Sequence, residues 1–155
     1  MENLQSFQKI LIAVDDSKYA HQAAAYGFAL AKKLSADVAL IHVNEIPIAM
    51  NVTGDPMLGD PGMILPDIMD LQKKASQELF NKLKAEFGSE LITNEYIIDG
   101  SASNQIVETA NEFGASMIVL GTHGRTGFDH FISGSVAESV SRHASCPVLI
   151  VPNKD

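Results

Sequence analysis

Five short apolar runs alternate along the chain with longer segments whose apolar residues recur every three or four positions. The runs are Lys9–Val14, Val38–Val43, Ile92–Ile98, Met117–Leu120 and Pro147–Val151. Each ends at Asp, Asn, Gly or the next loop and predicts a short buried strand, although Ile92–Ile98 also carries Thr93, Asn94 and Glu95. Between the first two, Asp15-Asp16-Ser17 supplies capping side chains for a helix over Lys18–Leu34. That helix sets Ala20, Ala24, Ala31 and Leu34 beside Gly27 and Phe28, with Lys32 and Lys33 in its last turn. A second helix is predicted over Asp67–Phe87 through Ile68, Leu71, Ala75, Leu79, Leu83 and Phe87, with Gly88 as its stop. Ser101 or Ser103 caps a third, carrying Ile106, Val107, Ala110 and Phe113 and ending at Gly114. The fourth is short, Ser135–His143, with Val136 and Val140 inward.

The periodicity dissolves from Asn44 to about Pro66, where Pro47, Pro56, Pro61, Gly54, Gly59 and Gly62 predict a long loop. Strands alternating with helices predict an α/β fold, an open parallel sheet with helices on both faces and right-handed crossovers. In such a sheet ligands bind beyond the carboxyl ends of the strands, here near Asp15, Val43, Asp99 and Gly121. At 155 residues, positions 1–155 form one expected domain.

Composition narrows the partners. With 46% hydrophobic and 19% charged residues the chain can bury a core, and its net charge of -8 argues against nucleic acid or anionic lipid, which reward clustered Lys and Arg. Neither a signal peptide nor an apolar membrane span is present in the pattern, so the expected location is the cytoplasm. Cys146 has no partner for a disulfide and no zinc spacing, and is expected as a small buried thiol beginning a strand. His21, His42, His123, His130 and His143 show no paired-ligand spacing. Met50, Met57, Met63 and Met69, in and beside the long loop, suit either an adaptable binding surface or a cover.

Two sites compete for the chemistry. Asp15 and Asp16 after the first strand, with Asp99 after the third and Thr122 after the fourth, suggest a phospho-acceptor receiver in which two carboxylates hold a cation and Asp99 accepts the phosphoryl group. Against this, Pro152-Asn153-Lys154 stands where a receiver needs Lys-Pro, and the long segment after the fourth strand has no receiver role. That segment, GTHGRTGFDHFISGS, is the second site. Gly121, Gly124 and Gly127 remove side chains where a phosphate could approach the backbone, and Gly134-Ser135 offers amides at a helix start. Arg125, Ser133 and Ser135 add donors. No GxGxxG follows the first strand, and no GxxxxGK[ST] occurs.

The spacing that does occur, glycine, two residues, glycine, nine residues, glycine and serine, runs through Gly121, Gly124, Gly134 and Ser135. With ILIAVDDS, LIHV, IVLGTHGRTG, GSVAESV and CPVLIVP, it makes the chain resemble the universal stress protein family, in its ATP-binding subgroup. The resemblance implies a Rossmann-like nucleotide-binding sheet of strand order 3-2-1-4-5. It implies that Ala13 and Asp15 line the ribose and adenine side and that Val43 offers main-chain hydrogen bonds to adenine. Gly121, Thr122, His123, Gly124 and Arg125 would wrap the phosphates, with Gly134, Ser135 and Val136 closing over them. ATP, or else ADP or AMP, would be the ligand, with magnesium or manganese held through phosphate oxygens. A homodimer through strand 147–151 is also implied, and the apolar Val148–Val151 edge suits it unless a helix covers it.

No general base can be named for hydrolysis, so no catalytic residue is expected, and slow ATP turnover remains a side activity. His123 either orients the glycine loop or acts as a base. The expected role is a nucleotide-dependent stress sensor or regulator. The alternatives are the receiver and a nucleotide-free structural dimer.

Overall fold

The computed structural model describes residues 6–45, 65–88, 90–122 and 135–152. Five strands, β1 (Lys9–Ala13), β2 (Asp37–Asn44), β3 (Ile92–Asp99), β4 (Met117–Gly121) and β5 (Val148–Val151), alternate with α1 (Lys18–Leu34), α2 (Leu65–Phe87), α3 (Ala102–Phe113) and α4 (Ser135–His143). All pairings are parallel and the sheet order is β3-β2-β1-β4-β5, the order that the family resemblance implies. Asn44 belongs to β2 and Leu65 begins α2, so the expected loop from 44 to 66 shortens at both ends, and residues 46–64 lie outside the described residues.

Alternate strand positions feed two cores. Ile10, Ile12, Val38 and Leu40 pack under α1 and α2 with Ala24, Phe28, Phe80 and Leu83. Leu11, Ala39, Ile41, Ile118 and Leu120 pack against Ile106, Ala110, Ala137 and Val140 of α3 and α4. The α1 backbone comes close to the sheet because Gly27 has no side chain: a Cβ there would lie 2.6 Å from Cδ1 of the fully buried Ile12.

Helix ends follow local chemistry in part. Ser17 caps α1 as expected, its hydroxyl accepting from the Ala20 amide at 3.2 Å. Ser101 is the N-cap of α3, but its side chain makes no capping hydrogen bond. The Ala102 amide instead donates to Oε1 of Glu45, from the end of β2, at 3.3 Å.

Two expectations about helix faces and one about Cys146 are corrected. Leu34 is 41% exposed rather than inward. In α2, Leu71 and Ala75 face solvent, while Ser76, Phe80 and Leu83 are buried with Phe87 against the core. Leu79, Leu83 and Phe87 of the expected stripe do pack against the core, and Ser76 and Phe80 complete the buried face in place of Leu71 and Ala75. Phe87 stacks on Phe28 there, with ring centroids 5.5 Å apart. Cys146 is half-buried and precedes β5 by two residues, and burial pushes its thiol above the ordinary value of 9.0, partly offset by a backbone hydrogen bond.

β3 is an edge strand with a polar outer side. Partial burial alone would raise the Glu95 carboxyl, but hydrogen bonds from Lys84 and Gln77 and the Lys84 charge outweigh it and hold its pKa below the ordinary 4.5. A carboxylate lowered on folding contributes stability that is complete above its unfolded value and disappears as pH falls through the folded value. Urea titrations from pH 7 down to pH 3 should therefore show Glu95→Gln losing less stability on acidification than the parent chain. The cost at pH 7 is expected below about 1 kcal/mol, because the pair is partly exposed.

Candidate functional site

The strand order locates the site. From β1 the chain winds outward through β2 to the β3 edge, then α3 carries it back across the sheet to β4 and on to β5. The direction of winding reverses between β1 and β4, so a crevice opens beyond their carboxyl ends, from which the chain leads to α1 on one face and α4 on the other. β1 and β4 pair through Ile10↔Met117, Leu11↔Ile118 and Ile12↔Val119. Ala13, Asp15 and Asp16 therefore leave one side of this crevice, and Gly121 and Thr122 leave the other.

On the β1 side, Asp15 is half-buried and its Oδ1 accepts from the Ser17 amide at 2.8 Å. This local turn fixes the side chain at the start of α1, where the helix dipole favours a negative charge. On the β4 side, the ladder to β5 continues past the strand, with the Thr122 amide donating to the Val151 carbonyl at 3.2 Å. Gly121 is pressed against the first turn of α1: a Cβ there would sit 2.8 Å from the Tyr19 carbonyl oxygen and 2.9 Å from its carbon. Glycine at this position thus first serves the contact between α1 and β4.

Val43 is the penultimate residue of the neighbouring β2, half-buried on the α3 and α4 side, and pairs with Ile98. Ser135 begins α4 and is exposed, and Val136 packs against the second core. Because α4 must return the chain to the amino end of β5, its first turn lies toward the carboxyl edge of the sheet, about 13 Å away along the helix axis. Ala13, Asp15, Val43, Gly121 and Thr122 are thus on adjacent strand ends. His123, Gly124, Arg125 and Gly134 lie outside the described residues, as do His130 and Ser133.

The receiver arrangement is not assembled. Asp99 is exposed and pairs with Asn44 at the sheet edge, so β2 stands between it and Asp15, about 10 Å away by strand spacing. Among the described residues no group of three or more His, Cys, Asp and Glu side chains is placed to hold a metal ion.

The model of the universal stress protein family matches residues 6–152. The chain belongs to the universal stress protein family. It is similar to the universal stress protein MJ0531 of Methanocaldococcus jannaschii, at 35% identity over 160 residues, covering 99% of this chain and 87% of that protein. A second relative from the same organism, MJ0577, is 28% identical over 159 residues, covering 96% of this chain and 97% of its own length. The solved structure of MJ0577 superposes with a TM-score of 0.77, over 97% of this chain and 99% of that one. A universal stress protein solved in complex with cAMP shares the fold at a TM-score of 0.63 and 20% identity, over 95% and 98% of the two chains.

Within this family frame, one residue passed over by sequence reasoning is His42. It is 5% exposed in β2, with Nδ1 2.8 Å from the Val14 carbonyl oxygen at the edge of the crevice. A histidine inside the run LIHV was the available signal, since a buried imidazole requires a partner.

Proposed function

We propose that the chain binds ATP at the β1–β4 crevice and acts as a nucleotide-dependent regulator in the stress response. The observation that carries this is the meeting of two features at one topological switch point. Asp15 is held there by the Ser17 amide at the start of α1, and β4 runs there into the Gly121, Gly124, Gly134, Ser135 spacing. In an acidic chain, amide groups and helix starts suit phosphates better than a basic patch would.

In this reading Asp15 accepts from the ribose hydroxyls, Ala13 lines the nucleoside and Val43 offers main-chain groups to adenine. Gly121, Thr122, His123, Gly124 and Arg125 hold phosphates, with Gly134, Ser135 and Val136 behind them. Asp15 and Asp16 on the nucleoside side keep carboxylates away from the phosphates, where like charge would oppose binding. A magnesium or manganese ion would ride on phosphate oxygens and water. This reading assigns no residue as a base for hydrolysis, and regulation through occupancy is the expected mode. The single domain would act in the cytoplasm as a homodimer through 147–151, since Val148, Leu149 and Ile150 of the edge strand β5 are only partly buried.

The test is to purify the chain, release bound small molecules by heat or acid and identify them by absorbance and chromatography against ATP, ADP, AMP and cAMP. ATP at a substantial fraction of one per chain is the expected result. Absence of bound nucleotide together with no uptake of added ATP would remove the proposal. Preferential recovery of cAMP would redirect it to a cyclic ligand.

A further inference from the structure

We infer that His42 is a positioning residue for the ribose end of the crevice: by holding the Val14 carbonyl it fixes the direction in which Asp15 leaves β1. This rests on the nucleotide reading given above, and the experiment below separates the two.

β2 carries His42 on the same face as Val38 and Leu40, the face covered by α1 and α2. Its Nδ1 lies 2.8 Å from the Val14 carbonyl oxygen, an acceptor only, so Nδ1 carries the proton whatever the charge of the ring. The Val14 amide donates to the Ile41 carbonyl at 2.9 Å. Two successive residues of β2 therefore hold both main-chain groups of Val14, the last residue before Asp15. Past Asp15 the chain is held again, by the Ser17 amide on Asp15 Oδ1 and by the Ser17 hydroxyl on the Ala20 amide. The turn from 14 to 17 is thus pinned at both ends with the Asp15 carboxylate between the pins.

Removing the imidazole donor leaves the Val14 carbonyl without its partner at a residue only 6% exposed. The 14–15 peptide can then rotate to seek another donor, and that rotation redirects the Asp15 Cα–Cβ bond. An apolar side chain would fill the same volume in this otherwise apolar strand but could not donate. The placing of a polar ring there is explained by the bond it makes.

Calorimetric titration of ATP and of 2′-deoxy-ATP into the parent chain, His42→Leu, His42→Asn and His42→Gln is the test. The parent chain should prefer ATP. His42→Leu should lose about tenfold in ATP affinity while its affinity for 2′-deoxy-ATP stays within about twofold, so that the preference collapses. His42→Asn, whose amide nitrogen can occupy the Nδ1 position, should keep the preference. In His42→Gln the amide is one bond farther out, and the variant should behave like His42→Leu. It also carries the comparison if circular dichroism shows His42→Leu to be unfolded. A merely structural role would weaken both nucleotides equally or lower the melting temperature with the preference intact, and either result overturns the assignment. A parent chain that binds neither nucleotide overturns the nucleotide reading itself. A parent chain that binds both, with His42→Leu and His42→Gln unchanged, overturns only the role given to His42.

Discussion

Gly121→Ala is expected to lower the unfolding free energy by about 2–3 kcal/mol, a large effect for one methyl group. The added Cβ would lie 2.8 Å from the Tyr19 carbonyl oxygen and 2.9 Å from its carbon, well inside normal contact. Both are main-chain atoms in the first turn of α1, so no side chain can swing away to make room. Either α1 lifts off the end of β4 or β4 bends toward β5, whose ladder runs through Gly121↔Val151. Chemical denaturation should show the midpoint falling with little change in slope. Nucleotide affinity should fall as well, because the same displacement moves the two walls of the crevice relative to each other. Unchanged stability in Gly121→Ala would mean that the approach of α1 to β4 is looser than described here.

Asp15→Ala carries the largest expected effect on binding, a loss of about 10–100-fold in ATP affinity, the range of a hydrogen bond to a charged group. The same change removes the acceptor for the Ser17 amide, so a stability loss of about 1 kcal/mol accompanies it. Asp15→Asn separates the two. Its amide oxygen can still accept from Ser17, which keeps stability near that of the parent, while the charge offered to the ribose hydroxyls is lost. Affinity falling in both variants, with stability falling only in Asp15→Ala, is the pattern expected from parallel titration calorimetry and thermal melts. Full ATP affinity in Asp15→Ala would show that the carboxylate does not face the nucleoside.

Much of this architecture is legible in the apolar pattern, because a strand covered on both faces has to read as a continuous apolar run. α1 and α4 begin and end where capping residues and periodicity place them. The strand order is a different matter: alternation of strands and helices allows more than one winding, and 3-2-1-4-5 came with the family motifs rather than with periodicity. The α2 face was read only in part: Leu79, Leu83 and Phe87 pack inward as periodicity suggests, but Leu71 and Ala75 continue a helical period that tertiary contact does not use, Ser76 and Phe80 being buried instead. In the same way Glu45, remote in sequence, does the capping expected of Ser101. The glycine spacing begins at the carboxyl end of β4, yet it says nothing of why Gly121 must lack a side chain. That reason is the Tyr19 backbone, a contact between segments about a hundred residues apart that only folding brings together.

The glycine spacing after β4 is proposed to hold the phosphates of ATP. Calorimetric titration of ATP with magnesium into the parent chain and into Gly134→Val tests it most directly. One ATP per chain is predicted for the parent, with binding to Gly134→Val reduced at least tenfold although the melting temperature stays within a few degrees. Equal ATP affinity in the two proteins, or no binding to the parent chain at all, would contradict it.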